Sequence, residues 1–237
     1  MIRKLRNGGI RLEPLLLTPI AVYHCDFPTK FGLPRQSGLA KELQGRIVFT
    51  PDFSNPDYIR GIEAYSHLWL LWQFSEAEGF SPTVRPPKLG GNIRVGVFAS
   101  RSPFRPNPIG LSCVRLCAVE NTGAGVALRV SGGDLMDGTP LFDIKPYLPY
   151  ADAHPDASNG FALPGDQAAL HVVFPAALQA LLPQSLLPAL TEALAQDPRP
   201  GYHNDPHREY FMRYAQFDIG FCADDETLTV TTVRRCE

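Results

Sequence analysis

At 237 residues, 44% hydrophobic and 19% charged, with a formal net charge of −2, the chain has room for one large domain or one medium domain with an appendage. This composition excludes a largely disordered chain and a protein coated in positive charge. No run reaches the ~20 apolar residues of a membrane helix, and LLLTPIAV, broken by Pro19, is too short for a signal-peptide core, so a cytoplasmic protein without a membrane segment is expected.

Twenty-three prolines and 20 glycines cut the sequence into short pieces, which favours strands and turns over a helix bundle. In chain order, residues 15–23 read as a strand, 25–39 as a loop and 46–49 as a second short strand. Residues 55–63 read as a short helix with Asn55 as N-cap and Pro56 in its first turn. HLWLLWQF, residues 67–74, is a continuous apolar run. It is expected to be a strand buried on both faces, with His67, Trp69 and Trp72 as core rather than as a platform for stacked bases. Residues 81–92 form a loop, 95–99, 111–119 and 127–131 further strands, 134–139 a turn and 141–145 another strand. This spacing predicts a closed or nearly closed barrel. After Pro149 the character changes. Residues 150–166 are polar and loop-like, and 168–195 are Ala/Leu-rich and helical with breaks at Pro175, Pro183 and Pro188. Residues 197–205 are a loop, and 210–218 with 227–233 form a closing hairpin. The expected fold is mainly β: a small β-barrel domain over residues 1–155 and a smaller α+β C-terminal domain over residues 156–237.

Several chemistries have no motif to carry them. There is no Gly-x-Gly-x-x-Gly after a strand, no Walker loop, no His-Glu-x-x-His and no Gly-x-Ser-x-Gly elbow. The five cysteines, Cys25, Cys113, Cys117, Cys222 and Cys236, are odd in number and lack a Cys-x-x-Cys, so reduced thiols are expected. The six histidines do not cluster, and no metal site is expected.

Charge, by contrast, is concentrated. Between Glu78 and Glu120 there is no acidic residue, while Arg85, Lys88, Arg94, Arg101, Arg105 and Arg115 all fall there. Within that stretch LGGNIRVGVFASRSPFRPNPIG holds Gly90 and Gly91, then Arg101 and Arg105 flanking Ser-Pro-Phe, and a stiff Arg-Pro-Asn-Pro corner. It is either a rigid barrel corner facing solvent or an anion site, since the planar guanidinium fork suits phosphates and carboxylates. A second segment, SGGDLMDGTPLFDIKPY, sets Asp134, Asp137 and Asp143 around Lys145 and Tyr147. It reads as turn chemistry or as a site for a cation or a ribose.

Together, LPRQSGL, GIEAYSHLWLLWQF, TVRPPKLGGNIRVGVFASRSPFRPNPIGLS, DLMDGTPLFDIKPYLPYADAHPDA and QDPRPGY resemble the tRNA (adenine-N6)-methyltransferases that act on N6-threonylcarbamoyladenosine. The resemblance runs from about residue 18 to residue 202. It implies a β-barrel catalytic domain, S-adenosylmethionine as cofactor, tRNA as partner, and a homodimer with the cofactor near the subunit interface. Carried over by position, the cofactor site comprises Pro34, Arg35, Gln36, Ser75, Glu76, Arg101, Leu111, Ser131, Gly132, Gly133 and Asp134. Ser75 and Glu76 depart from the family's His-Gln at that place. The C-terminal domain is implied to engage tRNA, and substrate contacts fall to Arg105, Asn107, Lys145 and Tyr202.

The acceptor nitrogen lies between a purine ring and a ureido carbonyl, so it is a poor nucleophile until its proton leaves. A base is therefore expected, with Asp134, Asp137 and Tyr147 as candidates. The threonyl carboxylate calls for an arginine, Arg105 or Arg35. Two rivals stay open at this stage: a module that binds S-adenosylmethionine and RNA without transfer, and a methyltransferase for another acceptor.

Overall fold

The computed structural model describes residues 2–4, 10–86, 93–123, 125–161, 169–200 and 205–236. Lys88, Gly90, Gly91 and Tyr202, singled out above, lie outside them. A short hairpin, β1 (Ile2–Lys4) with β2 (Ile10–Leu12), comes first. Six antiparallel strands then close a barrel: β3 (Ala21–Cys25), β4 (Gln44–Phe49), β5 (His67–Gln73), β8 (Ile109–Thr122), β9 (Gly125–Ser131) and β10 (Thr139–Pro146). They are hydrogen-bonded in the order β10-β3-β4-β9-β8-β5. A two-stranded pair, β6 (Thr83–Val84) and β7 (Val95–Gly96), lies between β5 and β8 in sequence. The barrel interior follows the two-residue period of the strands. Ala21 and Tyr23, Ile47 and Phe49, Leu68, Leu70 and Trp72, and Leu128 and Val130 all point inward.

Residues 15–20 are not strand. Leu15 and Leu16 are 82% and 91% exposed, and barrel pairing begins only where Ile20 N donates to the Leu141 carbonyl. The run 67–74 is buried on one face, not two. Leu68, Leu70 and Trp72 enter the core, His67 is exposed, and half-buried Trp69 donates its indole N–H to Asp152 at 3.0 Å. The stretch 55–63 is two short 3-10 turns, Pro56–Ile59 and Ile62–Ala64, and Asn55 does cap the first by accepting from Asp57 N.

The C-terminal part is a four-stranded sheet in the order β11-β14-β13-β12. Its strands are β11 (His171–Val173), β12 (Tyr210–Tyr214), β13 (Phe217–Ala223) and β14 (Thr227–Arg235), with β11 parallel to β14 and the rest antiparallel. Two corrections follow. The stretch 210–218 is not one hairpin arm, because the chain turns at Ala215, whose φ is 50°, and starts a third strand. The region 168–195 is not one interrupted helix: its β-branched valines at 172 and 173 form β11, and the prolines set where the helical pieces begin. After α1 (Pro149–Asp152), α2 (Ala176–Gln179) follows Pro175 and α3 (Leu187–Ala195) carries Pro188 in its first turn. Ala189, Leu190, Ala193 and Leu194 of α3 pack into the core shared with this sheet. Among the described residues no helix is long and apolar enough to cross a membrane.

The loop between β3 and β4 belongs to both halves. Phe27, Ala40 and Leu43 are buried in the core of the C-terminal sheet, with the Phe27 ring 5.0 Å from that of Tyr214. Ala215 N donates to the Asp26 carbonyl, and Glu42 N to the Glu192 carboxylate at 2.7 Å.

Candidate functional site

The same loop closes onto the turn between β9 and β10. Gly38 N donates to the Gly132 carbonyl at 2.8 Å, and Gly132 N to the Leu43 carbonyl at 2.9 Å. Ser37 Oγ accepts from Cys113 N of β8. Gly132, at φ 78°, makes a bend that a side chain would strain. Gly133 is required for a different reason: a Cβ there would sit 2.3 Å from the Tyr23 hydroxyl and 3.0 Å from Cζ. At Gly45 it would meet the same ring more closely, with Oη, Cζ and Cε2 at 2.1, 2.3 and 2.5 Å. The tyrosine hydroxyl is buried and has no hydrogen-bond partner among the described residues. Gly133→Ala is therefore expected to cost about 1–3 kcal/mol, and Tyr23→Phe should recover most of it. The same second change should leave Gly45→Ala unrescued, because ring carbons remain in the way. Chemical denaturation of the single and double variants checks this.

Below this turn lies a cleft of about 250 Å³. Its walls come from the β3–β4 loop (Lys30, Leu33), the end of β5 and the residues after it (Trp72, Phe74, Ser75, Glu76), the Pro103–Phe104 corner, and the β9–β10 turn (Asp134, Met136). Asp134 stands half-buried in this lining. Ser112 of β8 donates to its Oδ1 and in turn accepts from the Trp72 indole at 2.9 Å. Burial pushes the Asp134 carboxyl up from its ordinary value. Hydrogen bonds from Ser112 and from the backbone N–H groups of Asp134 itself and Ser37 oppose that, as does the charge of Arg101.

Of the residues assigned from sequence, Ser75, Glu76 and Asp134 share the cleft, and Arg101 acts on Asp134 through its charge. Arg101 is hydrogen-bonded to Gln36, whose amide reaches the Arg35 carbonyl at 2.5 Å. Pro34, Ser131, Gly132 and Gly133 are buried beneath. Leu111 is 55% exposed, on the face of β8 opposite to Ser112. Arg35 turns away from the cleft and donates to the carbonyls of Asp197 and Arg199 at 3.3 and 3.0 Å. Arg105 is half-buried at the corner beside Phe104, and Asn107 is exposed after it.

Three assigned residues are elsewhere. Asp137 faces outward, its Oδ1 bonded to Cys25 N at 3.1 Å and paired with His24 Nδ1 at 3.0 Å. Tyr147 meets His67 edge-on and Trp69 at a tilt, at the far end of the β5–β10 pair. Five residue steps along the strand separate His67 from Trp72, about 17 Å. Lys145 pairs with Asp143 at that same end. Tyr202 is outside the described residues. Sequence reasoning missed Trp72 and Ser112 as site residues, although the strand alternation carried a signal. Ser112 falls on the inward register of β8 between Gly110 and Val114, and a buried hydroxyl there requires a partner. Among the described residues no group of three His, Cys, Asp or Glu is placed to hold a metal.

Residues 22–153 match the family described as tRNA-methyltransferase O N-terminal domain, and residues 167–236 match its C-terminal domain. The chain belongs to the tRNA-methyltransferase O family. It is 47% identical over 219 residues to the Escherichia coli tRNA (adenine(37)-N6)-methyltransferase, covering 85% of this chain and 93% of that one. A relative from Pyrococcus abyssi, named a probable S-adenosyl-L-methionine-binding protein, is 39% identical over 150 residues, 62% of this chain and 77% of its own. The crystal structure of TrmO from Pseudomonas aeruginosa superposes with a TM-score of 0.76 at 35% identity, over 95% of this chain and 99% of that one. Membership makes the chain a methyltransferase that uses S-adenosylmethionine, and the family's N-terminal domain here is a closed barrel rather than a dinucleotide-binding sheet. The cleft fits such a donor in kind. Leu33, Phe74, Met136 and Phe104 offer apolar walls to a purine, Asp134 and Glu76 offer acceptors to hydroxyl or ammonium groups, and Arg101 and Lys30 offer cations to a carboxylate.

Proposed function

We propose that the chain methylates N6 of N6-threonylcarbamoyladenosine beside the anticodon of tRNA, as a cytoplasmic homodimer. The observation that carries the reading is the Asp134 carboxylate, held by hydrogen bonds in a mostly apolar cleft that also carries Lys30 and Glu76, with Arg101 near enough to act on it through its charge. Bound S-adenosylmethionine supplies a methyl carbon already activated by its sulfonium. The protein's part is to hold the acceptor in line, exclude water and remove a proton. Asp134 takes that proton, being the one of the three candidate bases that lies in the cleft. Burial favours its protonated form, which makes it a better proton acceptor than a solvated carboxylate. Arg105, at the corner beside Phe104, receives the threonyl carboxylate, since Arg35 is engaged by the carbonyls of Asp197 and Arg199.

Two observations support the dimer. At about 250 Å³ the cleft is small for a ligand site, typically ~300–1,000 Å³. The chain around it also exposes Leu39, Phe98, Phe104 and Leu111, apolar side chains that a second copy would cover while completing the site.

The test incubates the enzyme with labelled S-adenosylmethionine and tRNA with or without the threonylcarbamoyl group, followed by nucleoside analysis. Label should appear only on the modified adenosine; equal label on both tRNAs would overturn the substrate assignment. The cationic segment predicts salt-sensitive binding as well. Raising salt from about 50 to about 200 mM should weaken tRNA binding about 100-fold, measured by fluorescence anisotropy, and a flat response would remove the arginines from the tRNA contact.

A further inference from the structure

We propose that Ser112, oriented by Trp72, is a positioning residue that fixes which oxygen of Asp134 receives the proton. This rests on the reading of Asp134 as the base. An indole N–H can only donate, so at 2.9 Å the Trp72 Nε1 places its proton on Ser112 Oγ. Ser112 is fully buried and has one proton of its own, and Asp134 Oδ1 is the acceptor in reach. The reverse arrangement, with a proton on Oδ1 donated to Ser112, would strand the serine proton in a buried place with no other acceptor among the described residues. Oδ1 therefore remains an acceptor throughout, and Oδ2 is the oxygen that gains and loses a proton.

The relay is rigid at its far end. A Cβ at Gly110, two residues before Ser112 on the same face of β8, would lie 2.2 Å from the Trp72 ring, so that strand supplies both the groove for the ring and the hydroxyl for its N–H. Phe74 closes the ring's edge at 4.3 Å. The charged and titratable groups around Asp134 are Arg101, Lys30 and Glu76 about the cleft and Tyr23 beneath it, and the backbone N–H groups of Ser37 and Asp134 also face the carboxylate. Ser112 is the neutral side chain among the groups that favour its charged form.

The experiment measures single-turnover methyl transfer on threonylcarbamoyl-tRNA from about pH 5 to 9. Ser112→Ala alone leaves the indole N–H unpaired, so it is accompanied by the double variant Ser112→Ala/Trp72→Phe, which removes both polar partners and should fold. In either variant the acid limb of the profile should move up by about one pH unit, lowering the rate below that limb about tenfold. Superimposable profiles for the double variant and the parent would show that Ser112 merely satisfies Trp72, and would overturn the inference. Asp134→Asn is run in parallel. Full activity in that variant would overturn the base reading itself, whereas its loss combined with an unmoved Ser112 profile overturns only the role of Ser112.

Discussion

Replacing Asp134 by asparagine should lower the rate of methyl transfer by about 10²–10⁴-fold while leaving the barrel folded. Asparagine keeps the shape and can still accept from Ser112, so the relay from Trp72 survives. What it lacks is the ability to take a proton. The same substitution should raise stability at neutral pH, and the sign follows from linkage. The folded-state value of Asp134 is raised above that of the unfolded chain. Its contribution to stability is therefore fully present below the unfolded value, about 4, and is lost as pH rises through the folded value. Asparagine carries no such penalty. The melting temperature of Asp134→Asn should exceed the parent's at pH 7–8, with the gap closing toward about pH 4. Calorimetry across pH, set beside the turnover assay, reads both effects. An inactive variant that is also less stable at pH 7 would mean that asparagine disturbs the turn, and the rate loss would no longer speak for proton transfer.

Arg199→Ala should destabilise the protein by about 3–5 kcal/mol, a fall of roughly 10 °C in Tm at about 2–4 °C per kcal/mol. The guanidinium is buried. It meets both carboxylate oxygens of Asp197, at 2.8 and 3.0 Å, and caps the carbonyls of Ala223 and Asp224 at 2.7 Å. Asp197 sits at φ 48° just after α3, where glycine would be more comfortable. The ion pair holds it in that bend, and the bend aims its carbonyl and that of Arg199 at Arg35. Removing the arginine leaves a carboxylate and two carbonyls without their donor. Lysine should restore little, since a single ammonium cannot serve four acceptors in one plane. Urea melts of the alanine and lysine variants test this, and a cost under about 1 kcal/mol would mean that the pair behaves as an exposed one.

The barrel was legible because short apolar runs are punctuated by glycine and proline turns. Residues 67–74 and 127–131 were read as strands on that ground. The burial of 67–74 on both faces was misread because Trp69 and Leu71 are apolar in sequence, while in the fold the Trp69 nitrogen finds Asp152 near the surface. Strand β11 was invisible since three residues carry no period, and its parallel partner lies more than fifty residues away. In the site, the Ser-Gly-Gly-Asp turn was recognisable by motif. Separating Asp134 from Asp137 was not, because three residues on a turn reverse the direction a side chain faces. Ser112 was hidden for the opposite reason: it lies in a strand with no motif chemistry, and only pairing with β5 brings Trp72 to it.

The loop between β3 and β4 gives the two halves of the chain a common fate. Its inner surface seals the turn that carries Asp134, and its outer surface, through Phe27, Ala40 and Leu43, fills the second sheet. Cutting the chain after the barrel would therefore bare aromatic and aliphatic groups beside the cleft and loosen the segment that shapes it. The C-terminal sheet thus backs the loop that shapes the cleft, and a change that loosens the sheet is expected to reach the cleft without placing a side chain of its own there.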